Sequence, residues 1–296
     1  MLMVTTLRYT ANELEMRSFK RFETQFAHLG FNHFQAIAPL RPWVQRYFHL
    51  RVAADLPQQI AQTFYPDGGT SLHFYLPSPG IGDTPSVYFY SGQQRHCHSF
   101  ARGTEQITVR FQPGGAFHLL GVELAAMQAD TTASVIDVTQ WPIVGLTTLL
   151  YQLVDTPKPS QRIALVEHWL LQRAQLLDLS LSTRMSLVPA TLPQLIQTQA
   201  NLETFYGQLP MSRRQFERKF KQETGLSPAQ LLQLNRVKIA RNLLSQSPSL
   251  SLAQVAFDCG FYDQAHLHQH FLRVMQQTPG QYKKRKMSQI SNITAD

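Results

Sequence analysis

Apolar and polar positions along the chain follow one rhythm up to about residue 150 and another beyond it. In the first of these regions, short apolar or alternating runs ("QRYFHLRV", "SLHFYLP", "SVYFY", "QITVRFQP") are separated by the turn-forming clusters "YPDGGT", "PSPGIGDTP" and "QPGG". Aromatic and β-branched residues between Gly, Pro and Asp clusters predict an antiparallel sandwich or barrel. A short helix, "GAFHLLGVELAAM", is expected to leave Gly114–Gly115. From about Pro159 the period lengthens. Ile163, Val166, Trp169, Leu170, Leu176 and Leu177 recur near helical spacing, with Ser160 placed to cap them. Such a helix can pack on its own β domain or on its counterpart in a second subunit. Beyond "STRMSLVPATLP" the pattern is helical and polar-faced to Lys284.

The helical region contains a unit that occurs twice. "SRRQFERKFKQETGLSP" begins at Ser212 and "DQAHLHQHFLRVMQQTP" at Asp263. An offset of 51 residues pairs Ser212 with Asp263, Phe216 with Leu267, Phe220 with Phe271, and Ser227-Pro228 with Thr278-Pro279. Ser or Asp caps a helix start, two apolar residues four apart face a core, and Ser/Thr-Pro opens the next helix. A short helix precedes each copy, in "NLETFYGQLPMS" and "SLAQVAFDCGFYD", so each copy is expected to form a helix-turn-helix. Between them Pro228 to Leu244 predicts one helix, with Leu231, Leu234, Val237, Ile239 and Leu243 available for burial. Its length of about 25 Å could hold two reading helices about one DNA turn apart.

Composition sharpens this picture only when charge is located along the chain. Of the formal charge of +8, residues 211 to 286 account for 13 Lys+Arg against 4 Asp+Glu, while residues 1 to 210 are balanced. So local an excess predicts a polyanionic partner, nucleic acid or an anionic surface, rather than a charged protein throughout. Two cysteines, Cys97 and Cys259, are too few for a disulfide framework and form no zinc pattern. With no run of about 18 apolar residues and no signal-peptide pattern, a soluble cytoplasmic protein that does not enter a membrane is expected.

"SLAQVAFDCGFYDQAHLHQHF…TPGQY", "SRRQFERKFKQETGLSP" and the duplication together resemble the AraC/XylS family of bacterial transcription regulators over roughly Leu192 to Tyr282. The resemblance implies a C-terminal domain that places both reading helices in successive major-groove segments of double-stranded DNA, and activation by contact with RNA polymerase. Carried over by position, the first helix would present Arg213, Arg214, Glu217 and Arg218, and the second Gln264, His266, His268 and Gln269. Lys283 and Lys284 would add phosphate attraction. The chain departs from the family where Gln269 and Leu272 replace basic residues and where Gln276 replaces a helix-ending glycine kept in the first unit as Gly225.

"PLRPWVQRYFHL", "FYPDGGTSLHFYL" and "ITVRFQPGGAFHLLGV" resemble an N-terminal domain of unknown function found in some regulators of this type, which implies a cupin-like β-barrel. Such a barrel can enclose one small-molecule effector. In "HCHSFARGTE", His96 and His98 alternate along a strand and Glu105 could complete a metal site, although the spacing differs from that of cupin enzymes. No metal or other cofactor is expected. Cys97 would face the opposite way, into the core.

The expected fold class is α+β and multidomain. A β-rich sensing or dimerising domain covers residues 1–155, a helical connector 156–185, a double helix-turn-helix 186–286 and a tail 287–296. The expected function is sequence-specific transcription regulation by a non-enzyme, with a homodimer among the arrangements open to it. The alternatives are a cupin-like metalloenzyme fused to a DNA-binding module, and an architectural protein that binds DNA without strong sequence preference.

Overall fold

The computed structural model of the chain describes residues 30–53, 59–77, 84–91, 95–121, 123–124, 135–177, 187–197, 202–247 and 249–293. Its N-terminal region holds strands β1 (Asn32–Gln35), β2 (Val44–Arg51), β3 (Gln59–Phe64), β4 (Ser71–Leu76), β5 (Ser86–Tyr90), β6 (His96–Ala101), β7 (Glu105–Phe111) and β8 (Val135–Asp137). Six of them make one antiparallel sheet in the order β1-β2-β7-β4-β5-β8, and β3 and β6 pair as a separate ribbon. The expected β-rich domain is therefore present. Cys97, expected in the core, is exposed, because β6 pairs only with β3 in the described sheet and turns its other face, with Phe100, inward.

Strand alternation sends Leu72, Phe74, Leu76, Ile107, Val109 and Phe111 to one side of the large sheet. Helices α1 (Gly115–Leu120), α2 (Leu146–Asp155) and α3 (Pro159–Leu176) cover that side and complete the largest core. The helix expected at Gly114–Gly115 is only six residues long and ends on Gly121 at φ 72°. Gly115 lies so close to the Trp43 carbonyl that a β-carbon would strike backbone, which only a glycine avoids.

Helix α3, placed in the connector on sequence, buries Ile163, Val166, Trp169 and Leu170 in this same core and so packs on its own β domain. Leu176 and Leu177 fall at its end and are exposed. Pro159 opens the helix after Lys158, and Ser160 lies within the first turn rather than capping it. Two arginines join the buried face. Arg162 Nε donates to the Leu153 carbonyl (2.9 Å) while its guanidinium pairs with Glu105. Arg173 donates to the carbonyls of Leu119 and Leu120, satisfying acceptors that the end of α1 leaves open.

The C-terminal region is helical: α4 (Leu187–Gln197), α5 (Leu202–Gly207), α6 (Arg213–Thr224), α7 (Pro228–Gln246), α8 (Leu252–Asp258), α9 (Gln264–Met275) and α10 (Pro279–Ile293). It has two cores. Val188, Leu195, Phe205, Phe216 and Phe220 build the first, and Val255, Cys259, Leu267, Phe271 and Tyr282 the second. Helix α7 serves both, with Leu231, Leu232 and Leu234 in one and Val237, Ala240, Leu243 and Leu244 in the other. Its 19 residues span about 28 Å.

Candidate nucleic-acid interface

The duplicated sequence builds duplicated hydrogen bonds. Ser212 Oγ accepts from Gln215 N (3.3 Å) at the start of α6, and 51 residues later Asp263 Oδ1 accepts from His266 N (2.7 Å) at the start of α9. Ser227 Oγ accepts from Gln230 N at α7, and Thr278 Oγ1 from Gln281 N at α10. In each of these two, and at Ser212, the glutamine side chain reaches back to accept from the capping residue's N–H, closing a capping box. Those glutamines stand three positions after each cap, where the sequence alone could have revealed them; attention to the capping residue by itself misses them.

Because Phe216 and Phe220 are buried, α6 turns Arg214 and Arg218 outward, both exposed and without partners among the described residues. They lie four apart and share a face. Arg213 is exposed too, but its guanidinium is committed: Nη1 donates to Glu203 (2.6 Å), Nε to Glu217 (3.0 Å), and its carbon lies 4.7 Å from the Tyr206 ring. Glu217, half-buried, also accepts from Tyr206 Oη (2.8 Å), and these two donors hold its carboxyl below the usual range. Of the four positions on the first helix, Arg213 and Glu217 thus form one internal network and Arg214 and Arg218 stand apart from it.

On α9, Leu267 and Phe271 are fully buried, and Gln264, His268 and Gln269 are exposed. His266 and His270 are half-buried flanks. His266 Nδ1 accepts from the Tyr262 N–H (3.2 Å), and its ring packs against those of His270 (4.5 Å) and Phe261 (5.6 Å). His266 therefore fixes the turn into the helix, and His268 is the histidine on the outer row. Lys283 donates to the Leu250 carbonyl (2.8 Å), which ties α10 to the turn before α8, and Lys284 is exposed.

Gln276, where the first unit has Gly225, closes α9 in the left-handed region at φ 54°, the one non-glycine at positive φ among the described residues. Holding a side chain there costs about 1 kcal/mol. Its Oε1 accepts from the exposed Arg95 (3.0 Å), a contact worth little in water. Gln276→Gly is accordingly expected to raise the stability of the helical domain by about 1 kcal/mol. Urea denaturation followed by far-ultraviolet circular dichroism checks this, and a lowered midpoint would contradict it.

The candidate metal ligands separate. His96 and His98 do point the same way, their ring centroids 5.9 Å apart. Glu105 lies on the strand face shared with Ile107 and Val109 and is held by Arg162, by His49 (3.2 Å) and by Arg51 (3.4 Å), so it does not join them. Among the described residues no three His, Cys, Asp or Glu side chains gather as a metal site.

Comparison with known proteins places these features. Residues 207–285 match a family described as a helix-turn-helix domain, and residues 32–133 match a domain of unknown function (DUF6597). The HTH-type transcriptional activator RhaS of Escherichia coli O157:H7 is 32% identical over 129 residues, covering 42% of this chain and 46% of that protein. The chain thus spans about half the length of the curated relatives it matches. Among solved structures, the DNA-binding domain of AdpA in complex with a target DNA is 30% identical, with 34% of this chain and 94% of that one covered and a TM-score of 0.32. ToxT from Vibrio cholerae O395 is 11% identical over 80% of this chain and 96% of its own, with a TM-score of 0.39.

Proposed function

We propose, for a chain that carries the double helix-turn-helix domain of the AraC/XylS regulators, that it binds double-stranded DNA sequence-specifically and regulates transcription, as an activator. The observation that carries this reading is the repeat: two capped helices 51 residues apart, each with a buried aromatic-aliphatic face and an exposed polar face, fixed on one shared rod. Arg214 and Arg218 supply base-edge donors, His268 and the glutamines of α9 supply neutral hydrogen bonding, and Arg213 with Glu217 shapes the face around them. Lys283 and Lys284 lie beside the second unit and favour phosphate. The 32% identity to a transcriptional activator supports activation, and contact with RNA polymerase follows from that reading.

The β-rich domain, with α3 packed into it, is the module that senses a small molecule or joins two copies. The chain acts as a transcription regulator, the role carried by the relatives it resembles. Among the described residues no helix is long and apolar enough to cross a membrane.

Retention of sheared genomic DNA by the full chain at near-physiological salt, followed by sequencing, tests the proposal. Recovered fragments should share two short elements about one helical turn, roughly 34 Å, apart. DNA retained without a common element would overturn sequence-specific regulation in favour of architectural binding.

A further inference from the structure

Helix α6 carries two carboxylates with different settings. Glu223 is buried and pairs with His118 of α1 (3.1 Å). Glu217 lies outward among cations, three positions after Arg214, one before Arg218 and four before Lys221, all exposed. It pairs with none of these. Its Oε1 accepts from both Tyr206 Oη (2.8 Å) and Arg213 Nε (3.0 Å), and its second oxygen, Oε2, has no partner among the described residues. The two donors are themselves anchored. Arg213 is tied to Glu203 and lies over the Tyr206 ring, and that ring packs edge-on against Phe205 and Phe216 of the first helical core. The carboxylate is thus fixed in its rotamer. With Oε1 occupied and 38% of the side chain exposed, Oε2 is the acceptor that α6 offers outward.

A charged acceptor on a surface that meets DNA is repelled by every phosphate, so it favours binding only where a base edge donates to it. In the major groove the donors are the cytosine N4 and adenine N6 amines, whereas guanine N7 and O6 and thymine O4 are acceptors. Adenine sets its N7 lone pair beside the amine, where a carboxylate is opposed; cytosine has a C–H there. Arg214 and Arg218 supply the complementary donors, guanidinium groups that fit guanine N7 and O6. Cytosine on one strand and guanine beside or opposite it therefore match the row of charges on α6. The second unit has no such device. At the 51-residue offset Glu217 becomes His268, Arg213 becomes Gln264 and Arg218 becomes Gln269, and α9 contains no Asp or Glu.

Resting on the sequence-specific binding proposed above, we propose that Glu217 selects a cytosine in the element read by α6, its Oε2 accepting from the N4 amine, with Tyr206 as its positioning residue. The selection works largely by exclusion. Cytosine gives one charge-assisted hydrogen bond, guanine or thymine confronts the carboxylate with another acceptor, and a shifted register confronts it with phosphate. The two elements of the target are then read with unequal stringency, the first by charge and the second by neutral hydrogen bonding.

The test measures fluorescence anisotropy of the full chain on duplexes in which each position of the two recovered elements carries each base pair in turn. At one position the unaltered chain should prefer cytosine by about tenfold over guanine or thymine. Glu217→Ala should bring the four bases at that position within about threefold of one another, leave the other positions as they were, and bind scrambled duplex no more weakly. Glu217→Gln, which sets an amide donor beside the acceptor, should move the preference to adenine, whose N6 and N7 it fits. Tyr206→Phe keeps the ring beneath Arg213 and removes only the hydroxyl. It should cut the cytosine preference to about threefold and spare the other positions, a pattern that a loosened fold does not produce. Identical base profiles for the unaltered chain and Glu217→Ala would overturn the proposal, as would loss in that variant of a preference for any base but cytosine. Tyr206→Phe discriminating as well as the unaltered chain would overturn the positioning role. A chain that recovers no common element loses the regulatory reading and this inference with it. One that recovers the paired elements, and reads them unchanged in Glu217→Ala, loses this inference alone.

Discussion

Glu105→Ala is expected to lower the stability of the β domain by about 3–5 kcal/mol. Arg162 is 7% exposed, and its guanidinium has two partners, the Leu153 carbonyl and Glu105. Removing the carboxylate leaves a buried cation facing a buried imidazole, His49, with nothing between them to balance the charge. The same pair sets an acid limit. The His49 hydrogen bond, and then Arg162 against the opposing effect of burial, hold the Glu105 carboxyl at about 2, below its ordinary 4.5. A depressed folded-state pKa contributes stability that is complete above 4.5 and disappears as pH falls through about 2. The loss over that window should be on the order of 3 kcal/mol, and it should be missing in the alanine variant. All three tryptophans, Trp43, Trp141 and Trp169, lie in or against the β-domain core. Their fluorescence in urea therefore reports this domain alone. A change below about 1 kcal/mol would show that Arg162 finds another partner.

The second large effect lies in DNA binding. Arg214→Ala and Arg218→Ala are each expected to weaken binding to the recovered element by about 1–3 kcal/mol and to relax specificity at one base position. Arg213→Ala should cost clearly less. Its charge is already met by Glu203 and Glu217, so freeing it for DNA would break bonds that the free protein keeps. Lys284→Ala should weaken all sequences alike and reduce the salt dependence by about one ion. Fluorescence anisotropy with matched and scrambled duplexes distinguishes these patterns. Equal losses for Arg213, Arg214 and Arg218 on both duplexes would mean that α6 contributes charge and no base contact.

Much of the helical domain was legible because its signals are local. Ser212, Asp263, Ser227 and Thr278 all cap where their residue types and the following Pro or apolar positions require, and the 51-residue offset carries through to individual hydrogen bonds. The outward rows follow once Phe216, Phe220, Leu267 and Phe271 are assigned inward. The β domain was legible as a class and not in detail. Period-two alternation marks the faces of a strand but does not say which strands pair apart from the rest, so Cys97 was assigned to the wrong side. The pairing of Arg162 with Glu105 escaped because an apolar pattern passes over charged residues, and it depends on a contact 57 positions apart. The turn "YPDGG" looks the same in sequence whether it meets solvent or another domain. Only the fold shows Tyr65 among the residues of the second helical core.

Helix α7 has a further consequence, for the DNA rather than the protein. A single continuous helix shared by two cores has no joint at which one unit could swivel against the other. Each base pair inserted between the two elements of a target rotates the far element by about 35° around the duplex axis. The chain would therefore act as a phase gauge. Five inserted pairs would turn one element to the opposite side and silence it, while ten would restore its direction but put it out of reach.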